Sequence, residues 1–220
     1  MHPYDHARSS ARLHGGLWQD YHAFHAWFDV TKAVQFHFTH RALRHHREGI
    51  DEAVATFGSS IWNRDGAPVD TSVLGLQHLK EDCRMIPAAG DWLVDFDAPD
   101  WLPVTWADTS ELACESARRF GGGAERFSPL HDWFLETKAW TAGPQHLLFR
   151  HHAFGIFEAE ARFGAVVHGP SGPGVPTRVV AEWHVRQVLG RIPAATDFLR
   201  RIKGQRWMLQ ATSPRKLGLD

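Results

Sequence analysis

Residues 39–49 read THRALRHHREG and residues 145–155 read QHLLFRHHAFG, and the positions that agree lie 106 residues apart. The shared register continues on both sides without a gap, with HAWFDVTKA at 25–33 answered by HDWFLETKA at 131–139, and MIPAAGDWL at 85–93 answered by RIPAATDFL at 191–199. Self-similarity at one fixed offset indicates an internal tandem duplication. The identical pairs in the opening stretches are His40/His146, Arg44/Arg150, His45/His151, His46/His152 and Gly49/Gly155.

The duplication predicts a mainly α-helical chain with a short β-hairpin in each half, built as two homologous helical repeats that form a pseudo-dimer. We expect the first repeat at 1–96, a Pro/Trp-rich linker at 97–110, the second repeat at 111–202 and a basic tail at 203–220. The linker stretch DAPDWLPVTW, at 97–106, shows no counterpart in the sequence register. The tail lies outside the predicted repeat.

Local signals place the elements of the first repeat. We expect helices near 2–13, 20–28, 77–84 and 89–96, and a hairpin of strands at 59–62 and 69–74 around the turn signal at 64–66. A long third helix is expected from 32 to 57, capped by Asp29 or Thr31 and weakened at Gly49. This helix would carry the whole THRALRHHREG stretch.

Composition excludes several classes of protein. The net charge is −1 and no basic run is present, so a nucleic-acid-binding face is not expected. No apolar stretch is long enough for a membrane span, and residues 1–13 lack the apolar core of a secretory signal, so we expect a cytoplasmic protein. Cys83 and Cys114 have no cysteine at the equivalent repeat positions, which argues against a structural disulfide.

Histidine is the unusual residue of this chain, with 16 in 220 residues beside 10 Trp. Five His pairs occupy equivalent positions, adding 25/131 and 78/184 to the three pairs of the opening stretches. Most single buried His are satisfied by hydrogen bonds in the core, and this reading stays open. Several converging imidazoles favour a divalent metal such as Zn, Fe, Mn or Ni, and the predicted ligands are His6, His45, His46, His78 and Asp82.

The two repeats have not kept the same polar residues. The second repeat has apolar or uncharged residues where the first has His6, Arg41, Glu48, Glu81 and Asp82; these are Leu112, Leu147, Phe154, Gln187 and Val188. It gains Glu182 where the first repeat has Leu76. This asymmetry predicts one competent site in the first half and a degenerate site, used for packing, in the second.

Several motifs together resemble a small uncharacterised domain family of bacteria and their phages. They are HPYDHARSS at 2–10, HAWFDVTK at 25–32, HRALRHHREGI at 40–50, QHLKED at 77–82 and IPAAGDWL at 86–93. The chain departs from the family pattern at Leu76, where Glu is usual. The resemblance implies that a single copy folds alone or as a homodimer, so that this chain is a fused pseudo-dimer.

A looser similarity is to the HD-type metal phosphohydrolases, in which a His on an early helix precedes a His-Asp pair and a distant Asp. His6, the ALRHH stretch and Asp82 follow that order, but His46 stands where the Asp of the pair belongs.

Two functions fit these residues. The first is a metal-dependent hydrolase for a small anionic substrate of the phosphoester type, with Glu81 or Glu48 as the general base and Arg41 and Arg44 holding the anion. The second is a non-catalytic binding or assembly protein in which the His residues form structural hydrogen-bond networks.

Overall fold

The chain forms two compact units in a computed structural model that describes residues 1–169 and 173–219. The first unit consists of Met1–Asp95 together with the segment from Ile202 onward, and the second unit is Phe96–Arg201. Within the described residues each unit is mainly helical and has one antiparallel pair of short strands. The predicted fold class, helical tandem repeats with a hairpin in each half, is confirmed.

The first unit is built from four α-helices and a hairpin in its described part: α1 (Pro3–His14), α2 (Trp18–Asp29), α3 (Arg47–Phe57), β1 (Ser60–Trp62), β2 (Pro68–Asp70) and α4 (Thr71–Cys83). Short 3-10 helices lie at Val30–Ala33, Phe38–Leu43, Ala89–Leu93, Arg206–Leu209 and Pro214–Leu217.

The second unit repeats this order as α5 (Thr109–Phe120), α6 (Ser128–Glu136), α7 (Ala153–Phe163), β3 (Val166–Val167), β4 (Val175–Pro176), α8 (Thr177–Leu189) and α9 (Ala195–Leu199). Its 3-10 helices lie at Ala124–Arg126, Thr137–Ala139 and Pro144–Phe149. Residues 170–172, part of the stretch expected to hold the second hairpin's turn, lie outside the described residues.

The long third helix predicted from 32 to 57 is wrong. Its place is taken by two 3-10 helices and α3, because the backbone of His46 is extended (φ −147°, ψ 169°) and its ring caps α3. His46 Nδ1 accepts a hydrogen bond from Gly49 N at 3.0 Å, as N-cap side chains do. A Cβ at Gly49 would lie 2.0 Å from the Arg44 carbonyl oxygen, so this chain reversal requires glycine.

The same junction recurs in the second unit. His152 Nδ1 accepts from Gly155 N at 2.9 Å, and a Cβ at Gly155 would lie 1.8 Å from the Arg150 carbonyl oxygen. The RHH–G pattern shared by both repeats therefore marks the junction at which a 3-10 helix ends and an α-helix begins.

The hairpin is shorter than predicted. Strand β1 pairs with β2 in the register Ser60↔Asp70 and Trp62↔Pro68, and residues 71–74 of the expected second strand belong to α4 instead. Asp70 starts that helix, because its side chain accepts a hydrogen bond from Ser72 N at 2.7 Å.

Aromatic side chains of α2 form the centre of the first core. Tyr21, Phe24 and Phe28 are fully or almost fully buried along one face of the helix, and they pack with Leu74 and Leu79 of α4. The next face of α2 carries His25 and Asp29, one turn apart, so the core fixes the direction in which these two polar side chains point.

The segment that follows each repeat packs against one of the two helical units. In the first unit Trp207 packs edge-on against Trp92, with ring centroids 4.7 Å apart. In the second unit Trp101 packs edge-on against Phe198 at 5.1 Å. Since these two contacts join equivalent positions, the linker stretch at 97–106 does have a counterpart, in the tail.

Candidate metal centre

Four elements of the first unit bring polar side chains to one buried point. Helix α1 supplies His6, α2 supplies His25 and Asp29, and the turn before α3 supplies His45. Helix α4 supplies His78, Glu81 and Asp82. These residues share one helix face because they are spaced three and four positions apart. All seven residues are buried, with at most 6% of their surface exposed.

Asp29, His45, His78 and Asp82 each offer one ligand atom, and the four atoms lie within 4.8 Å of one another. His45 Nε2 lies 3.1 Å from His78 Nε2, 3.2 Å from Asp82 Oδ2 and 3.6 Å from Asp29 Oδ1. His78 Nε2 lies 4.0 Å from Asp82 Oδ2. Ligands about 2.0–2.2 Å from a tetrahedral metal stand about 3.3–3.6 Å apart, so this spacing fits one ion.

Several of these buried atoms form no hydrogen bond with any described residue. They are both carboxylate oxygens of Asp29, Oδ2 of Asp82 and Nδ1 of His45. Lys32 Nζ lies 2.8 Å from Asp29 Oδ2 and Arg41 Nη2 lies 3.1 Å from Asp82 Oδ2, within ion-pair distance but without hydrogen-bond geometry. Buried carboxylate oxygens that lack well-formed hydrogen bonds are costly, and a cation is a partner that could satisfy both carboxylates together.

A second group of possible ligands shares His78 with the first and consists of His6, His25 and His78. The His6 ring packs on the His78 ring with centroids 4.0 Å apart. His6 Nδ1 lies 2.6 Å from Glu81 Oε2, and His6 Nε2 lies 3.3 Å from Asp82 Oδ1, so this ring stands between two carboxylates. The N-terminal ammonium of Met1 also contacts Asp82 Oδ1.

A chain of hydrogen bonds fixes the proton positions on two of the rings. Gln77 Nε2 donates to Glu81 Oε1 at 2.9 Å, so the amide oxygen of Gln77 faces Ser10, whose hydroxyl donates to it at 2.9 Å. Ser10 Oγ must then accept from His25 Nε2, which lies 2.8 Å away. His25 Nδ1 therefore carries no hydrogen, and it faces His78 as an acceptor.

The proton between the two rings consequently belongs to His78. His25 Nδ1 and His78 Nδ1 are 3.0 Å apart, so His78 Nδ1 carries the hydrogen and His78 Nε2 keeps its lone pair. That lone pair faces His45, Asp82 and Asp29. A ring that donates through one nitrogen and offers the other is the arrangement that metal-binding His adopts.

The electrostatics give the charge states that a metal needs. Burial by itself would raise the pKa of the Asp82 carboxyl, but interactions with His45 and His6 outweigh it and hold that pKa well below the usual range. The pKa of Asp29 is lowered in the same way, against burial, mainly by His45. Burial, reinforced by the charge of His6, lowers the pKa of His78 far below that of free imidazole. At neutral pH both carboxylates are ionised and His78 is neutral.

His6 has the opposite shift. Burial lowers its pKa, but hydrogen bonds to Asp82 and Glu81 outweigh burial, so the net pKa is raised. A ring held between two carboxylates keeps a proton more readily than a free imidazole does.

Of the predicted site residues, the structure brings together His6, His45, His78, Glu81, Asp82 and Arg41. It places the other three elsewhere. His46 caps α3, and Glu48 accepts from Ala89 N at 2.9 Å beside it. Arg44 stacks over the Trp27 ring at 3.9 Å and donates to the Trp27 carbonyl oxygen. Arg150 makes the same contacts with Trp133 in the second unit, so this Arg serves the fold.

Asp29, His25 and Lys32 are absent from the predicted site. Asp29 lies at the C-terminal end of α2, and its position before the predicted third helix also suits a helix cap. The sequence does contain a pattern that points to Asp29, because His25–Asp29 and His78–Asp82 share the spacing His-x-x-x-Asp. The second repeat also has Leu135 at the position of Asp29, the same loss of a polar group that marks the other site residues.

The second unit keeps the imidazoles and lacks the carboxylates. His131 Nδ1 lies 2.8 Å from His184 Nδ1, and His184 Nε2 lies 3.1 Å from His151 Nε2, as in the first unit. Leu135 and Val188 replace the two aspartates. Among the described residues of this unit no group of possible metal ligands is found. The three-His contact therefore forms without an acidic partner in the second unit, and the two aspartates occur only in the first repeat.

A cavity of 260 Å³ lies beside the four-residue group. Its lining includes Lys32 and Arg41, the two cations that contact Asp29 and Asp82. His40 lies on the same wall, and its ring centroid is 5.8 Å from that of His45. The cavity and the candidate centre therefore share a wall of basic side chains.

Fold and site together define a class: a tandemly duplicated, mainly helical protein with a buried histidine–aspartate cluster in its first half. The chain belongs to the family described as domain of unknown function DUF6915, whose model matches it twice, at residues 1–102 and 107–208. No curated protein and no solved structure matches the chain. The similarity to HD-type phosphohydrolases stays a prediction.

Across the described residues, no helix combines the length and the apolar character needed to cross a membrane.

Proposed function

We propose that the first unit binds one divalent transition-metal ion and uses it to hydrolyse a small anionic substrate of the phosphoester type. The observation that carries this proposal is the convergence of Asp29, His45, His78 and Asp82 on one point, where the described residues form no hydrogen bond to three of the four carboxylate oxygens. Two imidazoles and two carboxylates suit Zn, Fe, Mn or Ni, and an ion with five or six ligands would still have room for water.

A metal in this place would supply the nucleophile. Held by Asp29, His45, His78 and Asp82, such an ion would lower the pKa of a bound water toward about 7 and so activate it at neutral pH. Hydrolysis would form a phosphorus–oxygen bond to the water oxygen and break the one to the leaving alcohol. The proton lost by the water must reach the leaving alkoxide for the reaction to balance.

His6 is the residue best suited to carry that proton. Its Nε2 lies 3.3 Å from Asp82 Oδ1, at the edge of the cluster. Glu81 fixes the ring through Nδ1, and it is itself held by Ser9 at 2.7 Å and by Gln77. Glu81 therefore acts in this proposal as a positioning residue for His6, and not as the general base that was predicted.

An anionic substrate is supported by the basic wall of the cavity. Lys32 and Arg41 are the charged residues that line it, and each lies within 3.1 Å of a carboxylate of the cluster. With a metal on these carboxylates, Lys32 and Arg41 would be available to an anion. Arg41 keeps its predicted role in this proposal, and Lys32 takes the place of Arg44.

Metal uptake by a matched pair of variants tests the centre. His78 and His184 occupy equivalent positions of α4 and α8, are fully buried and stack on Phe28 and Phe134 at 4.6 and 4.4 Å. We expect metal-stripped wild type to take up one Zn²⁺ or Mn²⁺ per chain in calorimetry, His184→Gln to do the same, and His78→Gln to take up none. Equal uptake by both variants would exclude this ligand set.

Hydrolysis is tested with p-nitrophenyl phosphate as the probe. We expect turnover that requires the added metal, is abolished by Asp82→Val, and falls at least tenfold in His6→Leu with metal uptake retained. Both substitutions copy the second repeat, which has Val188 and Leu112 at these positions. Metal-loaded wild type that turns over neither this monoester nor a range of phosphodiesters would refute the hydrolase proposal and leave the metal centre standing.

A non-catalytic binding or assembly protein is the second candidate. It is favoured by the second unit, where the same two contacts among three His persist without carboxylates. In the first unit, Lys32, Arg41 and His6 can balance the charges of the buried acids without a metal. A purified protein free of metal, whose melting temperature does not change with chelator or with added Zn²⁺, would decide for this candidate.

A further inference from the structure

The segments that follow the two repeats are exchanged between them. Trp101 follows the first repeat and packs on Phe198 of the second unit, whereas Trp207 follows the second repeat and packs on Trp92 of the first unit. The two tryptophans lie 106 residues apart, and so do their partners. Each repeat is thus completed by the segment that follows the other one.

In the first unit this tail reaches the residues of the candidate centre. Arg41 Nη1 donates to the Met208 carbonyl oxygen at 3.3 Å, and Thr212 N donates to the Glu81 carbonyl oxygen at 2.6 Å. Trp92, on which Trp207 packs, donates through Nε1 to the His45 carbonyl oxygen at 3.0 Å. The tail is therefore hydrogen-bonded to the segments of the first repeat that position the candidate ligand side chains.

The tail also forms one side of the 260 Å³ cavity, with Met208, Leu209 and Ala211. The opposite side belongs to the first repeat and combines the cations Lys32 and Arg41 with the aromatic rings of Phe36 and Phe38. None of the described residues that line it carries a carboxylate. A volume just below the usual range of about 300–1,000 Å³ suits a small ligand.

The equivalent space of the second unit contains a tryptophan. Trp106 stands where the tail has Thr212, and its ring lies 5.0 Å from that of His146 and 5.2 Å from Lys138 Nζ. His146 and Lys138 correspond to His40 and Lys32 of the open cavity, and Leu147 replaces Arg41. The unit that lacks the aspartates thus has a Trp side chain where the other unit has a cavity.

We propose that the cavity is the substrate site of the first unit, that it takes a small phosphate or similar dianion carrying an aromatic or apolar group, and that the tail of the second repeat is its obligatory wall. The anion is held by Lys32 and Arg41, and the apolar group lies between Phe36 and the tail residues Leu209 and Ala211. This rests on the proposed function for its chemistry, although the binding step can be measured without turnover.

The test is calorimetric binding of phenyl phosphate and inorganic phosphate to the full chain, with and without Zn²⁺. Ala211→Trp puts into the cavity the kind of side chain that fills the second unit, and Thr105→Trp is its control at the equivalent position of the linker. We expect Ala211→Trp to weaken phenyl phosphate binding at least tenfold while Zn²⁺ uptake stays that of wild type. Thr105→Trp should bind as wild type does.

A second variant covers the case in which Ala211→Trp does not fold. Phe36 is 96% exposed at the rim, so Phe36→Ser leaves the core untouched. It should weaken phenyl phosphate several-fold and leave inorganic phosphate unchanged. Unaltered phenyl phosphate binding by a folded Ala211→Trp, or equal weakening by both Trp variants, would overturn the assignment. A wild type that binds phenyl phosphate here but takes up no metal would refute the proposed function and retain the site.

Discussion

Replacing Asp82 by the residue of the second repeat separates its contribution to folding from its contribution to a metal. The Asp82 side chain is fully buried, and Arg41, 10% exposed, lies 3.1 Å from it. Asp82→Val leaves this guanidinium buried without its partner, which costs about 3–5 kcal/mol. Exchanging both partners for apolar residues is often close to neutral. The second repeat has made that double exchange, with Val188 and Leu147.

We therefore expect metal-free Asp82→Val to lose about 3–5 kcal/mol of unfolding free energy. The double variant Asp82→Val/Arg41→Leu should recover more than half of that loss, because the unpaired charge is gone. Neither variant should take up Zn²⁺. Urea denaturation followed by circular dichroism measures the first quantity, and titration calorimetry measures the second.

Two results would contradict these roles of Arg41 and Asp82. A double variant as unstable as Asp82→Val would mean that the unpaired Arg41 is not the cause of the loss. A folded double variant that binds Zn²⁺ with the affinity of wild type would remove Asp82 from the ligand set.

Three further outcomes are expected. Gly49→Ala should lower the unfolding free energy by about 3 kcal/mol, the upper end of overpacking costs, since its Cβ would lie 2.0 Å from a carbonyl oxygen; an unchanged urea midpoint would contradict the close approach. Burial lowers the pKa of His131 and of His152 to about 4, so the folded state binds fewer protons than the unfolded one, and stability falls as pH drops from 6.5 toward 4. Each ring should remove about 2 kcal/mol between pH 6.5 and pH 5, and equal unfolding free energies at the two pH values would contradict this. Zn²⁺ at 100 times its Kd should stabilise wild type by about 2.7 kcal/mol, visible as a melting temperature that chelator lowers again, whereas Asp82→Val should show no change.

The duplicated helical fold could be predicted because it depends on patterns that sequence preserves. A fixed offset of 106 residues, glycine stops and apolar periodicity are enough to predict two repeats and their helices. The junction at His46 could not be predicted in this way. RALRHHREG has the composition of a helix, and only the close approach of Gly49 to the Arg44 carbonyl oxygen shows why the chain turns there.

That one error displaced part of the candidate site. On a continuous helix His46 would point toward the core beside Leu43, and it was for this reason expected as a ligand. With the chain turned, His45 is the ring that faces His78, and His46 caps α3. Asp29 was hidden for a related reason, since an acidic residue after an aromatic helix fits a cap as well as it fits a ligand.

The exchange of the segments that follow each repeat depends on tertiary contacts that a repeat register does not show. Trp101 and Trp207 could be aligned from their spacing alone, but the sequence does not say which body each one packs on. The contacts with Phe198 and Trp92 decide it. They also give a structural reason for keeping two repeats in one chain, because the unit with the candidate centre is completed by the segment after the other repeat.

X-ray absorption spectroscopy of the metal-loaded chain tests the centre most directly. With Zn²⁺ bound, we expect a first shell of nitrogen and oxygen at about 2.0–2.2 Å, with outer-shell scattering from two imidazoles and no sulfur. Asp29→Leu/Asp82→Val should abolish that spectrum together with the bound metal. A shell that contains sulfur, or one that survives this double substitution, would contradict the central claim.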